Sequence, residues 1–441
     1  MASEAGKTLK LAFPIILGEL AQMALHIIDT AMVGMVSYKQ LAAAALVISV
    51  MNIPFVIGIG MTISVSQMVS MAHGRRDAQQ VSHYFFNGFF ICAITAIVIA
   101  GGLFFGKDIL FHLKQDAEVA RLAAPFLQLM ALSIIPMLLF MTLKQFADGL
   151  EYTRTAMVIS LAGLPLNVLL NWLLIFGNLG FPRLELLGAG WATLITRTLM
   201  FLVLGVVIFR HVTFRKYVAV RKHQWVLKLK TIRELLHIGI PSSLQVGIET
   251  SAFAISAILI GTISPVAQAA HQIAISCAAF TFMVSMGLAQ AGSIRVSNAF
   301  GRGDFPKIAA IGKSTIVTAV IYGVFCAIAF TLLKDILPLG FNKKTEVIQL
   351  ASVLLLYAAV FQISDSTQAI SAGLLRGIKD VKIPTILIGI AYWAIGIPAG
   401  YLFGIHWKMG AAGMWLGFII GLTMASVFLI SRFLTLSRRN K

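Results

Sequence analysis

Charge is what this chain has least of. Asp, Glu, Lys and Arg together make up 12% of its 441 residues, against about 25% in an ordinary soluble domain. Acids are the scarcer sign, 17 against 35 basic residues. Cysteine is scarcer still. Cys92, Cys277 and Cys326 sit far apart in apolar stretches with no CxxC spacing. That excludes a disulfide framework or a thiolate metal site and leaves three small buried hydrophobes. There is no HExxH motif and no nucleophile–base pair, so an intramembrane enzyme is not expected. No small-residue cleavage site follows the first apolar stretch, which is therefore expected to stay in place as a membrane span.

Apolar sequence fills the space. Hydrophobic residues are 59% of the chain, and they recur in stretches long enough, about 18 residues or more, to cross a bilayer as helices. Twelve spans are expected, centred near residues 22, 55, 95, 130, 167, 198, 248, 280, 320, 358, 394 and 421. Among the basic residues only Arg197 and Arg295 fall inside these spans. The others lie outside them, mostly on the side of the two termini. This bias places both termini in the cytoplasm by the positive-inside rule. The net charge of +18 then reports membrane orientation, and no nucleic acid is needed to account for it. The basic run from Arg215 to Arg233 reads as a retention signal on the central loop, with contact to anionic lipid as the other reading.

The chain repeats itself at a fixed offset. Pro14 and Pro241 are 227 residues apart, as are Gly60 and Gly287, and AHGRRDA at 72–78 matches AFGRGDF at 299–305. DGLEYTR after span 4 is read against AGLLRGIKD after span 10, and LGAGWAT at span 6 against MGAAGMW at span 12. Two six-helix bundles in tandem follow: an N-lobe at 1–208, a basic cytoplasmic linker at 209–236 and a C-lobe at 237–441. Six is even, so the repeats enter the membrane in the same direction. Parallel repeats of this kind occur in transporters that rock about a site near mid-membrane. No filter segment suggests a channel, so transport by alternating access is the expected activity.

Inside the spans, acids are costly and correspondingly informative, because intramembrane carboxylates usually face the bundle interior and mark ion or proton routes. Glu249 lies near the middle of span 7, Asp365 well inside span 10 and Asp29 in the outer half of span 1. Neither Glu249 nor Asp365 has a basic residue three or four positions away. If the two converge, the pair holds a proton or recruits a hard cation such as Na⁺, with Thr250, Ser251, Ser364, Ser366 and Thr367 beside them as oxygen donors. Asn167 and Asn171 share one face of span 5, either as a hydrogen-bonded link between helices or as neighbours of Asp29. Glu19 is turned about 80° from Asp29 around the helix, so the two need not meet. His26, His271, Arg197 and Arg295 read as satisfied polar contacts. Phe282 and Phe361 read as packing, with a cavity wall able to stack on a cation as the alternative.

Taken in order, Pro14 with Asp29-Thr30, GRRD, PLNVLLNWLLIFG, GAGWAT, Pro241 with Glu249, AAHQIA, SIRVSNAFGRGD and FQISDSTQAISAGLLRGIKD resemble the multidrug and toxic compound extrusion (MATE) transporters, especially their bacterial NorM-like branch. The resemblance covers nearly the whole chain. It implies an all-α membrane protein of twelve helices in two bundles around a V-shaped central cavity. It further implies a monomer in the bacterial inner membrane that exports cationic or amphiphilic drugs in exchange for Na⁺ or H⁺, without a cofactor. Residue by residue, Glu249 and Asp365 match the C-lobe cation site and are the Na⁺ candidates, and Phe282 matches an aromatic near that site. Asp29 matches the coupling aspartate of the N-lobe, with Asn167 and Asn171 beside it. Two positions depart from the pattern. Phe361 stands where relatives often carry Tyr, and Glu19 adds a charge for a cationic ligand to meet. The competing expectation, a flippase for a lipid-linked precursor on a related two-lobed fold, calls for a cluster of basic residues facing the cavity, and the spans hold few.

Overall fold

A computed structural model of the chain describes residues 2–112, 116–218 and 226–439. Among the described residues twelve helices are long and apolar enough to cross a membrane, and there is no strand. The helices are α1 (Ala2–Gly34), α2 (Tyr38–Gly74), α3 (Ala78–Phe105), α4 (Ala117–Gly149), α5 (Thr153–Leu174) and α6 (Glu185–Arg210). A second set follows, comprising α7 (Leu229–Ile263), α8 (Pro265–Arg302), α9 (Phe305–Leu333), α10 (Thr345–Gly377), α11 (Lys382–His406) and α12 (Gly410–Arg439). The charged residues Glu4, Lys7 and Lys10, expected to precede the first span, form the first turns of α1.

The repeat is written into the helix ends. Ser37 caps α2 by accepting a bond from the Gln40 N–H, and Ser264, 227 residues on, caps α8 through the Ala267 N–H. Such caps satisfy amide donors that a helix start leaves bare. The GRRD and GRGD loops work the same way. Asp77 caps α3 through the Gln80 N–H and Asp304 caps α9 through the Lys307 N–H. The residue before each aspartate is left-handed, Arg76 at φ 58° and Gly303 at φ 72°.

Each unit is organised about one buried helix. In the first half α4 packs on α2, α3 and α6, and in the second α10 packs on α8, α9 and α12. The compact units are Leu17–Ser243, called here the N-unit, and Met1–Ile16 with Leu244–Lys441, the C-unit. Their boundaries therefore lie inside α1 and α7, two residues beyond Pro14 and Pro241 and again 227 apart. Close backbone approaches explain why. A Cβ on Gly60 would lie 2.6 Å from the backbone N of Ser243, and one on Gly287 would lie 3.1 Å from the Cα of Ile16. The start of α7 thus packs on α2 within the N-unit, and the start of α1 packs on α8 within the C-unit. Arg295 on α8 fastens α1 there by donating to the Glu4 carboxylate, the Glu4 carbonyl and the Thr8 hydroxyl.

Between α6 and α7 a short helix, Val212–Val218, returns onto the N-unit. Ser82 donates to the Tyr217 carbonyl, His73 bonds the Tyr217 hydroxyl at 3.2 Å, and the Lys228 N–H donates to Asn87 at 3.0 Å. The middle of the basic run, 219–225, lies outside the described residues. Two basic residues placed outside the spans by sequence are buried within helices instead. Lys144 is buried on α4 and Arg376 on α10. The three cysteines are buried free thiols.

Candidate functional site

In the C-unit, α7 and α10 bring the acids together. Glu249 Oε1 accepts bonds from Gln245 Nε2, one turn back on α7, at 3.1 Å and from Gln368 Nε2 on α10 at 2.9 Å. Gln368 is three residues beyond Asp365, so both project from the same face of α10. Asp365 is buried and within electrostatic range of Glu249. Neither acid forms an ion pair among the described residues. Two neutral amides thus hydrogen-bond Glu249, and buried Arg376 is an electrostatic neighbour that makes no ion pair with it.

The hydroxyls expected to help are mostly engaged elsewhere. Ser366 accepts from Ser285 on α8 at 2.9 Å, and Ser364 bonds Thr423 at 2.8 Å. Thr367 and Ser251 donate to carbonyls of their own helices. Phe282, half-buried on α8, lies three residues before Ser285 and so on the face that reaches Ser366. Phe361, read as packing with a cavity wall as the alternative, is 2% exposed. Its ring meets those of Phe253, Trp415 and Phe418, with Trp415 at 5.4 Å. The hydroxyl that Phe361 lacks is present nearby from another element: buried Tyr392 is an electrostatic neighbour of both Glu249 and Asp365. Tyr392 belongs to a π-helical segment of α11, Ile390–Gly396, whose Trp393 Nε1 donates to the carbonyl of Ile248 at 3.3 Å. Such widened turns re-aim side chains and recur at functional sites.

In the N-unit the polar site is built on α1, α5 and α6. Asp29 Oδ1 accepts from Asn171 Nδ2 at 2.7 Å, and Oδ2 accepts from the Thr193 hydroxyl at 2.9 Å. Asn171 also donates to Asn167 Oδ1 at 3.1 Å, so the asparagine pair both links itself and holds Asp29. Asp29, Asn167 and Thr193 border a cavity of about 30 Å³ lined also by Gln22, His26 and Arg197. At about 10–15 Å³ per water, it holds one or two waters or a small ion. Gln22, Leu25, His26 and Asp29 follow each other at helical spacing, one face of α1. Arg197 donates to the Ser133 hydroxyl at 2.7 Å. His271, by contrast, keeps a buried Nδ1 with no partner and packs against Trp415 and Phe418. Glu19 is elsewhere. It is ion-paired with Lys144 on α4, which occupies the charge that a cationic ligand was expected to meet.

Sequence reasoning missed Gln245, Gln368, Thr193, Tyr392 and Lys144. The two glutamines were within reach, at i−4 from Glu249 and i+3 from Asp365, but only basic partners were sought at that spacing. No local signal marks Tyr392 or Thr193, which arrive from other helices. Among the described residues no three His, Cys, Asp or Glu side chains group as a metal site.

Twelve apolar helices among the described residues, in two repeats each with a part-buried intramembrane carboxylate held by neutral donors, define a polytopic membrane protein of the transporter class. The MatE family model matches residues 14–173 and 241–402, one stretch per repeat, each beginning at the repeat's proline. The chain belongs to the MatE family. It is 36% identical to "Probable multidrug resistance protein NorM" of Rhizobium meliloti over 98% of this chain and 93% of that one. It is 33% identical to "Multidrug resistance protein NorM" of Vibrio vulnificus over 99% and 96%. Its fold matches a crystal structure of a eukaryotic MATE transporter at TM-score 0.90, with 21% identity, covering 100% of this chain and 98% of that one.

Proposed function

We propose that this chain is a multidrug exporter of the bacterial inner membrane, with both termini cytoplasmic, that moves cationic or amphiphilic compounds outward in exchange for Na⁺ or H⁺. The observation that carries the reading is that Glu249 and Asp365 lie within electrostatic range of each other, and neither is ion-paired to a basic side chain among the described residues. Arg376 is an electrostatic neighbour of Glu249 but forms no ion pair with it, and an intramembrane carboxylate outside an ion pair is an exchangeable one. A proton or Na⁺ there neutralises the pair, and the coming and going of that charge biases which of two conformations is favoured. Gln245 and Gln368 suit both states. Their amide N–H groups serve the empty carboxylate, and rotation offers their carbonyl oxygens to a metal cation. Tyr392 supplies the further hydroxyl, and Phe282 a half-buried ring for a cationic ligand. Asp29, with Asn167, Asn171 and Thr193, forms a second coupling site in the N-unit by the same logic.

The test is drug efflux from proteoliposomes under Na⁺ and H⁺ gradients imposed separately. Glu249→Gln and Asp365→Asn are expected to abolish ion-driven efflux while the protein remains folded in the membrane. Wild-type rates in both variants would overturn the assignment.

A further inference from the structure

A second charged cluster of the N-unit lies apart from the Asp29 cavity. Glu19 on α1 is ion-paired with Lys144 on α4, whose stem crosses the small surface of Gly18, with Cε 3.8 Å from where a Cβ would stand. Lys144 is 3% exposed. One turn along the same face of α4 is Asp148, 0% exposed, and neither of its carboxylate oxygens has a hydrogen-bond partner. Its charged neighbours among the described residues are Lys144 and Glu19. The other titratable groups on elements packed against α4 have different surroundings: Lys39 on α2 pairs with Glu118, Cys92 on α3 is a buried thiol, and on α6 Glu185 bonds Gln40 and Arg210 is exposed. His73 on α2 bonds Tyr217, and on α3 His83 bonds Lys228 while Tyr84 bonds Glu234. Arg197 on α6 bonds Ser133, and Arg154 on α5 is exposed.

Fully ionised, the cluster carries two negative charges and one positive. Asp148 would bear the excess at the carboxyl end of α4, where the helix dipole is itself negative. A buried carboxylate with no donor is the arrangement that proteins avoid unless the group takes its neutral form or gains a cation. A metal cation fits poorly, because it needs several oxygen ligands and would stand beside the Lys144 ammonium. A proton needs one oxygen.

We propose that Glu19, Lys144 and Asp148 form a second exchangeable proton site of the N-unit, with the proton resident on Asp148. On release, the carboxylic acid gives its proton to water arriving past Glu19, whose side chain is 22% exposed. Asp148 is left a carboxylate, and the Lys144 ammonium swings one turn from Glu19 to meet it. Glu19, part-exposed, is then solvated by water. The cluster's charge falls by one, the charge of the proton that left. Lys144 is the positioning residue, and the site serves the exchange proposed above by adding a proton station on α4, whose outlet Glu19 lies about 15 Å, ten residues at 1.5 Å each, along α1 from Asp29.

Infrared spectroscopy of the full chain in lipid bilayers, stepped through buffer pH, tests this without reference to transport. The wild type is expected to show a protonated-carboxyl band, one component of which is lost in Asp148→Asn, kept in Asp29→Asn and unmoved by Na⁺ at constant pH. Lys144→Met should shift the buffer range over which that component persists toward alkali. An unchanged spectrum in Asp148→Asn, or a component that Na⁺ discharges, overturns the proposal. Should Asp148→Asn fail to reach the membrane, Asp148→Glu must displace the component in frequency, and an unmoved band counts against the site. Absent drug efflux with this band intact would sink the exporter reading alone. Normal efflux with no such band would sink the proton site alone.

Discussion

Gln368 on α10 donates a 2.9 Å hydrogen bond to Glu249 on α7, the same carboxylate oxygen that Gln245 reaches at 3.1 Å. This contact joins the two acid-bearing helices of the C-unit through a neutral group. A hydrogen bond to a charged group contributes roughly 1.5–3 kcal/mol, which is about tenfold or more in an equilibrium constant. Gln368→Ala is therefore expected to change the driving-ion concentration for half-maximal export by about tenfold, with the amount of membrane protein unchanged. An unaltered ion dependence would remove the amide from the site.

In the N-unit, the Thr193 hydroxyl is one of two donors on Asp29. Thr193→Val keeps the shape and removes that donor, at a cost of about 1.5–3 kcal/mol for a bond to a carboxylate. A fall in export of about tenfold or more is expected at equal expression. Because Asn171 serves the same carboxylate, the double variant with Asn171→Ala should depart from the product of the single effects, as groups sharing a partner do. Strict multiplicativity of the two effects would refute that shared role.

Gly60 and Gly287 should tolerate no side chain. A Cβ at either would press on the backbone of Ser243 or Ile16, and backbone cannot rotate aside. Gly60→Ala and Gly287→Ala are each expected to destabilise the protein by about 1–3 kcal/mol, the usual cost of overpacking. Gly101→Ala is the control. Its Cβ meets nothing within 4 Å, and mid-helix alanine gains roughly 0.5–1 kcal/mol over glycine. Thermal denaturation in detergent reads all three, and a Gly60→Ala melting temperature equal to that of Gly101→Ala would refute the close-approach argument.

Arg76 is left-handed at φ 58° where the second repeat has Gly303 at φ 72°. The left-handed conformation costs an L-residue roughly 1–2 kcal/mol, partly offset in glycine by the greater freedom of its unfolded chain. Arg76→Gly is expected to leave stability level or raise it by up to about 1 kcal/mol, and Gly303→Arg to lower it. A loss of stability in Arg76→Gly, with none in Gly303→Arg, would show that the loop, rather than the dihedral, sets the energy.

The repeat itself was legible because helix caps and close approaches demand particular residues at particular positions. Ser37 and Ser264, Asp77 and Asp304, and Gly60 and Gly287 all keep the offset of 227 for that reason. Within the matched stretches DGLEYTR and AGLLRGIKD the spacing left the register open. A Cβ on Gly149 would lie 2.8 Å from the Ser66 carbonyl oxygen, and one on Gly377 would lie 2.9 Å from the Ser293 carbonyl oxygen. The matching positions are therefore Asp148-Gly149 and Arg376-Gly377, an acid and a base at equivalent places in the two repeats. Two glycines four residues apart in AGLLRG are equally small, and only the opposing helix distinguishes them.

By itself the sequence determined the twelve spans, the twofold repetition and the acids Asp29, Glu249 and Asp365, because lipid permits few polar residues and each one stands out against apolar neighbours. Tertiary structure alone decided who holds them. Asn171 and Thr193 meet at Asp29, Gln368 reaches Glu249 across 119 residues, and Glu19 turns to Lys144. It also decided that the two compact units divide inside α1 and α7. Hydropathy and spacing are properties of one segment, whereas a hydrogen-bond partner or a packed backbone belongs to two segments and is set only when their helices meet.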